Sequence, residues 1–230
     1  MPDANPSQPE LTAEARAALE PVLTLLSRER GPSAVRDPER GWRVHVADSL
    51  SGLVFEQLAD ARAICDVGSG AGFPGLVLAA MLPEARVDLV EATGRKADFI
   101  ERAAKAGAIA NARAVNARAE DWAGAEGREA YDAVTARAVG RLSTLAELAS
   151  PLLAPGGVLV AWKGHRDPDE EAELARAAAE LAMELAEVIA VGPYAGSENR
   201  HLHLIRKSGP TPANVPRRAG MAKKRPRGAA

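Results

Sequence analysis

The chain is predicted to fold as a doubly wound α/β protein: a mostly parallel seven-stranded sheet with an antiparallel last strand, helices on both faces, and an N-terminal helical extension. Three observations predict it. From residue 61 onward, short apolar runs alternate with amphipathic runs at helical spacing, the pattern of strands joined by helical crossovers. One apolar run, Ala63–Val67, breaks into a glycine loop, Gly68-Ser69-Gly70-Ala71-Gly72-Phe73-Pro74-Gly75, and a helix-like run continues to Met81. The last two strand candidates are separated by only about ten residues, too few for a helical crossover, so they pair antiparallel.

Residues 1–10 are polar with three prolines and are expected to be disordered. Thr12 to about Arg30 reads as a helix, with Thr12 as N-cap and Leu19, Val22, Leu23 and Leu26 at helical spacing. Pro21 is expected to kink it or divide it in two. A second amphipathic helix is expected over Arg43–Leu58. Strands are expected at Ala63–Val67, Arg86–Glu91, Ala112–Asn116, Tyr131–Ala136, Val158–Lys163, Glu187–Val191 and His201–Lys207. Helices are expected at Gly75–Met81, Arg95–Ala106, Ala119–Ala123, Leu142–Leu153 and, strongly acidic, Asp167–Ala186. The acidic helix is read as a solvated outer helix that repels nucleic acid. The division is an N-terminal helical extension (1–60), the sheet domain (61–208) and a basic tail (209–230).

Composition narrows the class. Hydrophobic residues make up 47%, enough for a sizeable core, and one cysteine excludes an internal disulfide. Cys65 lies in the first apolar run and reads as a small core residue. No apolar stretch is long enough to span a bilayer and no leader pattern opens the chain, so a cytoplasmic protein with no membrane partner is expected. The net charge of −2 hides an asymmetry: from Arg206 to the end there are eight basic residues and no acidic one. That leaves 21 basic against 31 acidic residues over 1–205. Such a tail attracts phosphate, or is simply a solvated end. Its removal is expected to weaken nucleic-acid binding while sparing the cofactor.

The glycine loop carries the first chemistry. Glycines let the backbone approach a ligand, and a helix N-terminus offers free N–H groups. A dinucleotide fingerprint needs a third glycine where Phe73 stands, so this is not that motif. The G-x-G-x-G form, with five parallel strands and a terminal hairpin, instead resembles the Rossmann-like class I S-adenosylmethionine (SAM)-dependent methyltransferases. Ligands of open parallel sheets bind at the carboxyl ends of the strands. Gly68 and Gly70 lie there, as does Glu91 in Leu89-Val90-Glu91-Ala92-Thr93, whose carboxylate suits ribose hydroxyls. Asn116-Ala117-Arg118-Ala119-Glu120-Asp121 comes after the third strand, where a backbone N–H and a carboxylate read an adenine edge; acidic residues in a helix's first turn are the ordinary alternative. Arg137 ends the fourth strand, facing either the cofactor's carboxylate, a substrate, or a structural salt bridge. Lys163 ends the fifth, placed for an RNA phosphate. His45, His165, His201 and His203 show no metal-ligand spacing, and no metal is expected.

Absent motifs narrow the reaction. The only cysteine is in the first strand, so pyrimidine C5 chemistry lacks its nucleophile. The position of an Asn/Asp-Pro-Pro-aromatic loop is Ala136-Arg137-Ala138-Val139, so exocyclic-amine methylation lacks its usual loop. A ring nitrogen with a free lone pair needs no general base, only placement. No catalytic residue is therefore assigned.

Taken together, the motifs resemble the RsmG (GidB) family of bacterial small-subunit rRNA guanine-N7 methyltransferases over about residues 33–226. Ser33-Ala34-Val35-Arg36-Asp37-Pro38-Glu39 is similar to the family's T-S-V-R-D-P-x-E, and His45-Val46-Ala47-Asp48-Ser49-Leu50 to its H-I-x-D-S-L. Asp66 to Gly75 matches D-V-G-[ST]-G-x-G-[FL]-P-G. Arg137-Ala138, Lys163-Gly164 and Arg200-His201-Leu202 resemble S-R-A, K-G and R-H-L. Pro216 to Pro226 resembles the ending P-R-x-x-G-x-x-K-K-x-P. The resemblance implies SAM binding at Gly68, Phe73, Glu91, Ala92, Thr93, Ala119, Glu120 and Arg137. It implies methylation of N7 of guanine 527 of 16S rRNA in the small ribosomal subunit, releasing S-adenosylhomocysteine (SAH). Separately from the resemblance, a monomer is expected. Lys163, Arg200, His201, Arg217, Arg218, Lys223 and Lys224 are then candidate rRNA contacts. Two departures affect the N-terminal surface: Ser27 to Ser33 replaces a Trp-Asn…Asn-Leu-Thr stretch, and Val44 stands where an arginine precedes the H-I-x-D-S-L segment. A SAM enzyme of another RNA position or small molecule, and a non-catalytic rRNA-binding assembly factor, are the alternatives.

Overall fold

β1 (Ala63–Val67) takes the middle of the sheet because Ile64, Cys65 and Val67 are buried on both of its faces. The computed structural model describes residues 9–229 and shows one seven-stranded sheet in the order β3-β2-β1-β4-β5-β7-β6. The remaining strands are β2 (Arg86–Val90), β3 (Ala112–Val115), β4 (Tyr131–Arg137), β5 (Leu153–Lys163), β6 (Met183–Val191) and β7 (Arg200–Lys207). β1 pairs parallel with β2 and β4, and β7 pairs antiparallel with β5 and β6. The chain therefore reverses its winding between β1 and β4, which puts a crevice at their carboxyl ends.

Helices cover both faces. The first layer holds α1 (Ala13–Arg28), the segment 38–59, α5 (Gly75–Met81) and α6 (Gly94–Ala106). The second holds α7 (Ala119–Ala123), α8 (Leu142–Ala149), α9 (Pro168–Leu181) and the tail, with its short α10 (Met221–Lys224). The expectation for residues 1–8 lies outside the described residues.

Three expectations are corrected. α1 is one helix, capped by Thr12 on Ala15 N at 3.1 Å, so of the two outcomes expected at Pro21 the division does not occur. The carbonyl deprived of a donor belongs to exposed Ala17, while Leu19, Val22 and Leu23 are buried on either side. The helix expected over Arg43–Leu58 is a composite. α2 (Pro38–Gly41), a π-helical turn (Trp42–Ala47), α3 (Asp48–Leu50), a 3-10 turn (Ser51–Val54) and α4 (Glu56–Ala59) succeed one another. Trp162 of β5 causes the break: its indole Nε1 donates to the Asp48 carbonyl (2.8 Å) and to Ser51 Oγ (3.2 Å). A Cβ on Gly52 would sit 2.2 Å from that ring.

Third, the acidic helix is not simply solvated. Glu170 and Glu173 of α9 are buried, Glu170 against Lys163 (2.7 Å) and Glu173 against Arg141 (2.8 Å) and the Ser143 hydroxyl. The basic tail is docked on the same side. Buried Glu147 of α8 accepts both arms of Arg217, at 2.7 and 2.6 Å, and Arg227 pairs with Glu180. Val215 and Ala222 are each 3% exposed in the second layer.

Candidate cofactor and nucleic-acid site

The loop after β1 shapes the crevice. Asp66, fully buried, accepts from Thr135 Oγ1 of β4 (2.9 Å) and from Gly75 N of α5 (3.1 Å), so one carboxylate joins two strands and the helix start. Burial raises its pKa against the opposing pull of those hydrogen bonds and of Arg137. Gly75 makes the close approach: a Cβ there would lie 2.6 Å from Leu89 Cδ2. Gly68 N and Ser69 N both donate to the Val90 carbonyl, folding the loop back over β2. Glu91, 7% exposed, accepts from Gly70 N (3.0 Å) and Thr93 N (2.8 Å). Each carboxylate oxygen thus has one backbone donor and keeps lone-pair capacity for a hydroxyl. Asn116 Nδ2 donates to the Glu91 carbonyl (3.0 Å) and holds the strand end in place.

Two cavities meet at this loop. The first, about 400 Å³, lies between Val67, Val90, Ala92 and Ala119, with Glu120 at its edge and the tail beyond. Its aliphatic walls, with the Glu120 carboxylate and the basic Arg118, Lys223 and Lys224 also lining it, suit a purine nucleoside group. The second, about 360 Å³, is lined by His45, Asp48, Gly70, Phe73, Arg137 and Arg200. Gly68 borders both. A third cavity, about 420 Å³, lies at the opposite, amino end of β2 and β3. There Asp88 is already bonded by Arg113 (2.8 Å) and the Tyr131 hydroxyl (2.7 Å).

The second cavity is built on Asp48, which is fully buried between two guanidiniums. Arg137 Nη1 donates to its Oδ2 (2.9 Å), and Arg200 Nε pairs with its Oδ1 (3.1 Å). Arg137 also donates to the Val44 carbonyl and meets His45 Nδ1, both at 3.3 Å. Arginine can only donate, so His45 is neutral with its proton on Nε2, directed to Ser33 Oγ at 3.0 Å. Ser33 Oγ also accepts from Val35 N, and the His45 ring stacks on Phe73 with centroids 4.6 Å apart.

A family model for GidB, rRNA small subunit methyltransferase G, matches residues 18–202. The chain belongs to that family. A relative from Rubrobacter xylanophilus, named ribosomal RNA small subunit methyltransferase G, is 44% identical over 93% of this chain and 84% of its own length. A second of that name, from Gloeobacter violaceus, is 40% identical over 83% of this chain and 76% of its own length. Among solved structures, an O-methyltransferase from Bacillus cereus in complex with SAH superimposes with a TM-score of 0.58 at 18% identity, over 83% of this chain and 90% of that one. A SAM-dependent methyltransferase from Aquifex aeolicus gives 0.55 at 16% identity, over 78% and 100%. At that identity the likeness is one of fold, the Rossmann-like class I sheet.

In this GidB-family member, the residues expected at the cofactor divide between the two cavities. Gly68, Ala92, Ala119 and Glu120 line the first, and Gly70, Phe73 and Arg137 line the second. Glu91 and Thr93 tie the glycine loop to the start of α6. The expected nucleic-acid contacts separate too. Arg218, Lys223 and Lys224 are exposed. Arg217 is bound to Glu147, while Lys163 is held by Glu170 and by the Gly140 carbonyl at 3.1 Å. His201 Nδ1 sits against the Asn199 carbonyl (3.0 Å) at the edge near Arg200. Residue-level reading missed Asp48 as the centre of the arginine pair. The signal was present in the His45-to-Leu50 segment, but its partners lie about 90 to 150 residues away. Val44 accepts from Arg137 through its backbone carbonyl, a bond that does not depend on the identity of the side chain there.

His45 makes stability depend on pH. Burial, then the charge of Arg137, lowers its pKa from 6.5 to about 4. The unfolded chain takes up the proton near 6.5 while the folded chain resists it, so the contribution is complete above 6.5 and is lost as pH falls through 4. The full shift corresponds to about 3 kcal/mol. Urea unfolding at pH 7 and pH 4.5 is expected to show a smaller pH loss in His45→Gln than in the parent. Equal losses would remove His45 from the account.

Proposed function

We propose that this chain methylates N7 of guanine 527 of 16S rRNA in the small ribosomal subunit, with SAM as methyl donor and SAH as product. The observation that supports it best is the shared rim at Gly68: a cavity with aliphatic walls and Glu120 at its edge on one side, a cationic and aromatic cavity on the other. The residues present suit the cofactor. Glu91 has acceptor capacity for ribose hydroxyls, Glu120 and Ala119 border the purine-sized slot, and Gly70 opens the loop toward the second cavity.

Bound SAM supplies an electrophilic methyl group on sulfonium sulfur. Guanine N7 offers a free lone pair to that methyl group, so accepting it would require no proton to be removed. The chain's task is therefore to hold the base in line and exclude competing orientations. The His45–Phe73 pair presents a stacked aromatic wall, and Arg137 and Arg200, fixed by Asp48, present donors suited to phosphate or to guanine acceptors. The choice of N7 and of position 527 rests on the motif resemblance, whose Ser33, His45 and Asp48 all line this cavity. Arg218, Lys223 and Lys224 are exposed and basic beyond it, Lys223 and Lys224 also lining the first cavity. No helix among the described residues is long and apolar enough to cross a membrane.

The test uses small subunits from a strain lacking the gene. Protein and labelled SAM are added, and 7-methylguanosine is mapped by cleavage at the modified base. Label at position 527 alone is expected; label elsewhere in the rRNA, or none, refutes the assignment.

A further inference from the structure

The tail's position gives it a role that its charge did not suggest. We infer that the C-terminal turn is the outer wall of the cofactor cavity, with Gly220 and Ala222 closing it opposite the strand ends and Glu120 shared between tail and ligand as a positioning residue. This rests on the SAM reading above.

The cavity has two sides of different origin. Val67, Val90 and Ala92 come from the sheet, and Gly220 and Ala222 come from a segment more than a hundred residues further along. Gly220 takes the left-handed conformation, φ +82°, and its N–H donates to Glu120 Oε1 at 2.7 Å. The Thr144 hydroxyl holds the Ala222 carbonyl at 3.1 Å, and Ala222 is 3% exposed. The turn is closed from behind. Arg217 grips buried Glu147 with two guanidinium hydrogen bonds and its backbone N–H, while its Nη2 also donates to the Arg225 carbonyl at 2.8 Å. Beyond it, Arg176 Nε donates to the Gly228 carbonyl at 2.7 Å.

These walls set the chemistry of the slot. Aliphatic strand ends on one side and Gly220 and Ala222 on the other leave apolar walls for a ring, while Glu120, Arg118, Lys223 and Lys224 add charged groups to the lining. Glu120 accepts the Gly220 N–H with one oxygen and keeps the other for a donor, as a purine's exocyclic amine provides. The tail thereby fixes the carboxylate that reads the base, and it replaces water along the open edge of the ring. This placement runs against the expectation that removing residues 209–230 spares the cofactor: Arg217 and Arg227 both pair with buried Glu147, Arg227 also reaches the exposed Glu180, and the turn between them lines the slot.

Gly220→Val tests the wall through the backbone alone. A Cβ at residue 220 meets nothing within 4 Å, so the change strains the left-handed turn without touching the core. Calorimetry with SAH, and separately with adenosine, is expected to show at least about a tenfold rise in Kd for both ligands, with the free protein folded and its melting temperature lowered by no more than about 2–8 °C, the cost of left-handed strain. A loss for SAH but not for adenosine would put the tail at the other end of the ligand and overturn the inference. A second measurement needs no variant: in the full-length parent, SAH is expected to slow hydrogen exchange over residues 217–224. An unchanged Kd in folded Gly220→Val, or no slowing in the parent, also overturns it. A parent protein that binds no SAH at all refutes the cofactor reading itself, a result separable from these.

Discussion

Gly70→Val is expected to abolish measurable SAH binding, raising Kd by more than about 100-fold (about 3 kcal/mol), while leaving the sheet folded. Gly70 sits at φ +60°, and a Cβ there would meet only the Gly68 carbonyl oxygen, at 3.9 Å. The protein interior therefore does not resist the side chain. The backbone does, by about 1–2 kcal/mol for an L-residue in the left-handed region. For a chain of this size that lowers the melting temperature by about 2–8 °C. The branched side chain would stand on the rim of the second cavity and disturb the Gly70 N–H bond to Glu91. Gly75→Val is the contrasting control. Its Cβ would fall 2.6 Å from Leu89 and 2.9 Å from Asp66 Oδ2, inside the packed seam of α5 and the sheet, so loss of fold is expected there. Circular dichroism and calorimetry on both proteins decide it: undiminished SAH affinity in folded Gly70→Val sinks the loop as cofactor cradle.

Arg137→Met is expected to cost stability by stranding a buried charge. It strands the fully buried Asp48 carboxylate with Arg200 alone and leaves the Val44 carbonyl and His45 Nδ1 without their donor. Breaking a buried pair from one side costs about 3–5 kcal/mol, and the remaining partner keeps this case near the lower end. The melting temperature is expected to fall by about 6–12 °C. Asp48→Asn removes the charge instead, leaving two guanidiniums that are 13% and 27% exposed and able to reach water, so its cost is smaller. The double variant is expected to be more stable than Arg137→Met by at least about 1 kcal/mol, because the stranded charge is gone. If the double variant is no more stable, Asp48 is not the buried charge that Arg137 serves.

Much of the fold was legible because its signals are local. Apolar runs, the glycine break after Val67 and the short gap between Val191 and Arg200 give strands, crevice and terminal hairpin directly. The limits of β2, β3 and β4 differ from the sequence reading by a single residue, since period and punctuation act over a few residues. β5 and β6 begin several residues earlier than expected, where pairing with Tyr131 and Lys207 extends segments whose own pattern is weak.

Where distant segments meet, local pattern fails. Arg43–Leu58 has the spacing of one helix, but Trp162 withdraws the Asp48 carbonyl and crowds Gly52, and the helix breaks into turns. The acidic run at α9 and the basic run at the tail each read as solvated faces. In the fold, buried carboxylates on α8 and α9 take up arginines and a lysine, and solvation gives way to pairing. By itself the sequence determined the sheet, the glycine loop, Glu91 and the family, because each is written in neighbouring residues. Only the tertiary structure decided that Asp48 holds Arg137 and Arg200, and that Gly220 stands against Glu120. Those contacts join residues dozens to more than a hundred positions apart, and a buried charge selects its partner by distance in space and by the cost of remaining unpaired.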